Sequence, residues 1–143
     1  MDILTYPFDC YGEIPRPLIL VKIDSFSNPY PALVDTGADF TILPKAFLEE
    51  LGHSNKSQNV LSAKAGGFGG KAHCFIHTLG ISLLDENLTP VWNTGKIKVG
   101  FAGINSGIDS IVLGRDIICS KWRRLIINSE GNNPKDWSVK IFI

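Results

Sequence analysis

Leu33-Val34-Asp35-Thr36-Gly37-Ala38-Asp39 is the stretch that decides how this chain is read. Two apolar residues end a strand that runs into the protein, and an acid, a hydroxyl and a glycine follow at once. An ionised carboxylate taken out of water is costly unless it is paired or hydrogen-bonded. Acids held in such surroundings collect at functional sites. Asp, Thr and Gly also suit an ordinary turn after a strand, each for a local reason. A tripeptide alone does not separate the two readings.

The neighbours separate them. Asp35-Thr36-Gly37-Ala38-Asp39 runs into Phe40-Thr41-Ile42-Leu43-Pro44 and then a short helix. Far downstream, Ile111-Val112-Leu113-Gly114-Arg115-Asp116 repeats the order of apolar strand, glycine and helix start. Between them lies the glycine-rich Ala65-Gly66-Gly67-Phe68-Gly69-Gly70. This ordered triplet resembles the retropepsin-like aspartic proteases, the single-domain relatives of pepsin, over about residues 18–143.

The resemblance implies aspartic endopeptidase chemistry, hydrolysis of a polypeptide by two carboxylates a few ångströms apart. Like charges that close cannot both ionise, so the pair shares one proton. The ionised member takes a proton from a water. The protonated member hydrogen-bonds the substrate carbonyl, and neither metal nor cofactor is needed. This chain has a single Asp-Thr-Gly, and neither Asp109-Ser110-Ile111 nor Leu113-Gly114-Arg115 is a second copy. The resemblance therefore implies a homodimer with Asp35 of each subunit at a twofold axis. A twofold interface is self-complementary, which suits setting one residue against its own copy.

The remaining roles come from the same resemblance. Thr36 is expected to hydrogen-bond across the dimer axis, and Gly37 to let backbone approach the substrate. Ala38 and Asp39 are expected to line the cleft, with Asp39 also pairing bidentately with Arg115. Gly114 and Asp116 complete that support, Asp116 by capping the helix start or meeting its dipole. Gly66, Gly67, Phe68, Gly69 and Gly70 fall where the family has its flap, a hairpin that closes over bound peptide and excludes water. Viral members interlock their terminal strands on dimerising, which makes Ser138 to Ile143 the expected interlocking segment, with the N-terminal arm as the alternative cover for the cleft or dimer edge.

Other readings of the same residues are weaker. Lys71 after the glycines suggests a phosphate loop, but Gly66 and Gly70 are too close together and Ala72 stands where Ser or Thr is required. His73, Cys74 and His77 suggest a metal, yet alternation along a strand turns Cys74 away from the histidines, and no fourth ligand is apparent. Fold alone does not fix function. A non-catalytic peptide-binding or dimerisation module on the same fold, or a monomer activated by a partner, are the alternatives to an enzyme.

With 143 residues, one domain spanning residues 1–143 is expected. Fourteen basic and fourteen acidic residues cancel, so the charge gives no footprint for nucleic acid or an anionic membrane. Cys10, Cys74 and Cys119 are odd in number and widely spaced, which disfavours a disulfide framework and fits a reducing, cytoplasmic setting. The acidic, proline-broken start is not expected to be a secretory signal. The longest apolar runs are too short to cross a bilayer.

Along the chain, residues 1–17 read as an extended arm with one edge strand. Pro17 to Ile23 and Ala32 to Val34 read as a hairpin that delivers Asp35. Pro44 to Gly52 reads as a short helix punctuated by its proline and glycine, with Phe47, Leu48 and Leu51 on one stripe. Lys71 to Leu84 reads as one long strand bent at Gly80. Pro90 to Trp92 and Ile97 to Ala102 read as strands joined by a tight turn at Asn93-Thr94-Gly95. Arg115 begins a second short helix, and Arg124 to Ile127 and Ser138 to Ile143 end the chain as strands. The sum is a mostly β, closed, barrel-like fold with two short helices.

Overall fold

The computed structural model describes residues 2–52, 61–67, 70–103 and 108–143, with the backbone alone described in 61–67 and 70–73. His53 to Asn59, polar enough in sequence to be expected as a loop, lies outside these residues, as do Phe68 and Gly69. The fold is mostly β, with two short α-helices among the described residues.

The first hairpin forms as its alternation dictates. In β2 (Leu18–Ile23) every second residue is turned to the core, and Ile19, Val21 and Ile23 are essentially inaccessible. It pairs antiparallel with β3 (Pro29–Val34), Leu18 opposite Leu33. After β4 (Ile42–Leu43) comes α1 (Lys45–Glu50), with Pro44 at its N-cap. The helix buries Leu48 fully and rests Phe47 and Leu51 on the core. Phe47 also meets Phe26 and Tyr30 edge-on, which ties the helix to the turn before β3.

Strands β5 (Leu61–Gly67) and β6 (Gly70–Leu79) form a hairpin. Then follow β7 (Ile81–Leu84), β8 (Pro90–Asn93), β9 (Ile97–Ala102) and β10 (Ile111–Leu113). These strands make a nine-stranded sheet in the order β5-β6-β9-β4-β10-β3-β2-β7-β8. The sheet is open and does not close into the expected barrel. The reason lies at Gly80, where the long apolar run divides: β6 pairs with β5 and β9, while β7 pairs with β2 and β8. Because β6 and β7 stand far apart in the sheet yet share one connecting residue, the sheet folds over on itself there. A Cβ at Gly80 would lie 2.3 Å from Asp24 Oδ2, so a larger residue at the crossing would have to displace the Asp24 side chain. Asn93-Thr94-Gly95 is likewise no hairpin turn, since β8 and β9 pair with different strands. Instead Thr94 is fastened to β7: its N–H donates to the Ile81 carbonyl at 2.9 Å, and its hydroxyl accepts from Ile81 N–H at 3.0 Å.

After α2 (Arg115–Ile118) the chain builds a second sheet, β1-β12-β11, from β11 (Arg124–Asn128), β12 (Ser138–Phe142) and β1 (Ile3–Pro7). The strand of the N-terminal arm, β1, is thus paired along its whole length with β12. Val139 and Ile141 of β12 are fully buried and seat this sheet on the common core. Tyr6 is buried with them and donates its hydroxyl to the Leu84 carbonyl at 2.7 Å. β12 has β1 on one edge and β11 on the other, so it has no edge left for a partner strand. The expected interlocking of Ser138 to Ile143 with a second copy is therefore not available to that strand. Among the described residues, no helix is long and apolar enough to cross a membrane.

The placement of β10 matters most for the site. It lies between β3 and β4, parallel to the first and antiparallel to the second. β3 and β4 are neighbours in sequence, so residues 35–41 must arch over the end of a strand from far downstream.

Candidate active site

Asp35 leaves β3 still held by the sheet, its N–H donating to the Leu113 carbonyl at 3.1 Å. The chain then turns sharply. Gly37 N–H donates to Asp35 Oδ1 at 2.8 Å, and Ala38 N–H donates to the Asp35 carbonyl at 3.2 Å. The Asp35 carboxylate is half-exposed, while Thr36 and Gly37 stand out into solvent. Among the described residues the Thr36 hydroxyl has no partner within the chain. The Ala38 carbonyl accepts from Arg115 N–H at 2.9 Å, which brings the loop back onto the start of α2.

The far side of the loop is clamped by Thr41, which is completely buried. Its hydroxyl accepts from Gly114 N–H at 3.1 Å and donates to Asp116 Oδ1 at 2.8 Å. Its own N–H donates to Asp116 Oδ2 at 3.0 Å. Asp116 Oδ1 also accepts from Ile117 N–H at 2.9 Å. One carboxylate therefore binds the acid loop, its own helix and a buried hydroxyl together. A buried hydroxyl without partners would be costly, and here both its donor and acceptor capacities are used. Phe40 runs directly against Gly114, where a Cβ would lie 2.5 Å from the Phe40 carbonyl carbon.

The structure thus assembles Asp35, Thr36, Gly37, Ala38 and Asp39 with Gly114, Arg115 and Asp116, from segments far apart in sequence. Arg115 does pair with Asp39, but both side chains are at least half exposed. Solvent screening makes such a pair a weak brace. Asp116 does not act as a simple helix cap; its carboxylate reaches back to Thr41. Sequence reasoning passed over Thr41. Its signal was a hydroxyl followed by Ile42-Leu43 at the entrance to a buried strand, where a polar group must find partners.

The glycine-rich segment is a β-hairpin, with Gly66 opposite Lys71 and Gly67 opposite Gly70. Phe68 and Gly69 lie outside the described residues. Among the described residues, no group of three or more His, Cys, Asp or Glu side chains is placed to hold a metal.

No protein-family model matches this chain, and no curated protein matches it in sequence. Among solved structures, it is similar to the crystal structure of a retropepsin-like aspartic protease from Rickettsia conorii. The TM-score is 0.63 at 14% sequence identity, over 98% of this chain and 89% of that one. The chain has the retropepsin-like fold.

Proposed function

We propose that this protein is an aspartic endopeptidase whose active form is a homodimer. The observation that carries the reading is Asp35: a half-exposed carboxylate at a strand end, one per chain, on a loop fixed by β10 and the Thr41–Asp116 clamp. Two such loops meeting at a twofold axis would set two carboxylates side by side, sharing one proton and titrating as a pair. The ionised Asp35 takes a proton from water, and that water attacks the scissile carbonyl. The protonated Asp35 of the other subunit donates a hydrogen bond to the carbonyl oxygen. A preformed pair held by a rigid scaffold lowers the barrier because it need not reorganise during reaction.

The roles of the neighbours follow. The unpartnered Thr36 hydroxyl is free to bond across the axis. Ala38 and Asp39 lie on the same loop and would line the cleft. Gly66, Gly67, Phe68, Gly69 and Gly70 would close over an extended polypeptide. Gly114, Arg115 and Asp116 hold the loop from behind. Cys10, Cys74 and Cys119 are all free thiols, which supports a reducing cytoplasmic setting.

The test is cleavage of a mixed peptide library from acid to neutral pH by wild type and by Asp35→Asn. The expected result is defined cleavage by the wild type and none by the variant. Cleavage that survives the substitution would falsify the assignment. Saturable peptide binding with no product, from a verified dimer, would make the protein a binding module instead.

A further inference from the structure

The N-terminal strand has one occupied edge and one open edge. Asp2 and Ile143 exchange backbone hydrogen bonds at 3.4 and 3.1 Å, and Phe8 N–H donates to the Trp137 carbonyl at 3.1 Å. Antiparallel ladders alternate, so Leu4 and Tyr6 also turn their backbone groups toward β12. The N–H and C=O of Ile3 and Thr5 must then point away from it. Among the described residues no strand pairs with that side of β1. Pro7 has no N–H and ends the run of donors.

That open edge borders a groove of about 450 Å³. Its apolar wall includes Leu4, Leu20 and Leu84, and Tyr6 closes it by its hydrogen bond to the Leu84 carbonyl. Among the described residues, the only charged side chains lining it are Asp85 and Glu86. Asp85 Oδ1 is already held by the N–H groups of Asn87 and Thr89, both at 2.9 Å, so this charge is fixed in place. Glu86 is exposed. No residue of the acid loop or of its clamp lines the groove. A row of unpaired backbone groups beside an apolar trough is the arrangement that accepts an added strand.

We infer that this groove is a second polypeptide-binding site, which takes an extended segment of another protein as a strand added to β1 and selects one bearing a Lys or Arg. Backbone bonds to Ile3 and Thr5 hold the segment irrespective of its sequence. Its inward side chains meet Leu4 and Leu20, which are only partly buried, and its cation faces Asp85 and Glu86. The site is independent of the proposed hydrolysis and persists whether or not Asp35 is catalytic.

Thr5→Pro tests this sharply. Thr5 turns its N–H outward, so proline there removes a donor from the open edge while leaving every bond to β12. The probe is a fluorescein-labelled, acetylated Lys-Val-Thr-Val-Thr-Lys peptide, read by anisotropy against the full chain, with a Glu-Val-Thr-Val-Thr-Glu peptide alongside. Saturable binding of the lysine peptide is expected, with the glutamate peptide weaker. Thr5→Pro should weaken it by about tenfold or more, while Thr5→Val retains it. Glu86→Lys leaves Asp85 facing a new cation, a net charge of zero, and should abolish the preference between the two peptides. Hydrogen exchange gives a readout on the wild type alone: the Ile3 and Thr5 amides should exchange freely, then become protected on adding the lysine peptide. Unchanged binding by Thr5→Pro, equal binding of both peptides to wild type, or no protection at Ile3 and Thr5 would overturn the proposal. So would a wild-type dimer that Thr5→Pro converts to monomer, since the occupant would then be a second copy.

Discussion

Two contacts at the acid loop differ in worth. Asp39–Arg115 is an ion pair in solvent, and such pairs contribute at most about 1 kcal/mol. Thr41 is completely buried and carries bonds to Gly114 and Asp116. Removing a buried partner leaves unsatisfied groups behind, at about 1–3 kcal/mol. Thr41→Val should therefore lower stability by about 2–3 kcal/mol, and Arg115→Ala by less than about 1 kcal/mol. Urea unfolding of both variants decides the matter, and the reverse ranking would refute this account of the clamp. The Arg115 pairing was anticipated through the resemblance, which sets an acid and an arginine at these two positions. The Thr41 contact was not, because a threonine entering a strand looks like any other until its burial is known.

At the scale of elements, the site exists because β10 is inserted between β3 and β4. The hairpin that delivers Asp35 and the short helices were readable from alternation, proline and glycine. The parallel pairing of β10 with β3 was not, since pairing between distant segments leaves no local pattern. The same blindness produced the expected hairpin at Asn93-Thr94-Gly95 and the expected barrel. The first followed from reading neighbours in sequence as neighbours in the sheet, the second from the number and close spacing of the short strands. The insertion brings the Phe40 backbone against Gly114, within 2.5 Å of where a Cβ would be. Gly114→Ala must push the acid loop away from α2. The expected cost is about 2–3 kcal/mol, the scale of overpacking a close-packed contact. Denaturation measures that cost. Peptide cleavage by the folded fraction should fall further than the stability loss explains, because the Asp35 loop itself is displaced. A variant as stable and active as wild type would mean that the contact is slack.

For the whole molecule, the three-stranded sheet is locked to the larger one partly through Tyr6. Burial, and secondarily the negative charge of Asp85, raise the Tyr6 phenol well above its ordinary value of 10.0. The folded chain thus keeps Tyr6 protonated where the unfolded chain has released the proton. This contribution is intact below the ordinary phenol value and is lost as pH climbs from there toward the raised one. Wild type should lose stability over that alkaline range, measured as a falling urea midpoint. Tyr6→Phe should start about 1 kcal/mol lower, having lost the bond to Leu84, and show a shallower alkaline decline. A parallel decline in both proteins would remove Tyr6 as the cause. At the same scale stands the claim that one Asp35 needs another. Mixing wild type with Asp35→Asn at constant total concentration, allowing subunits to exchange, and measuring peptide cleavage tests it directly. If each site requires an acid from both copies, the rate falls as the square of the wild-type fraction. A rate that falls in simple proportion would mean that each chain works alone, and would contradict the account.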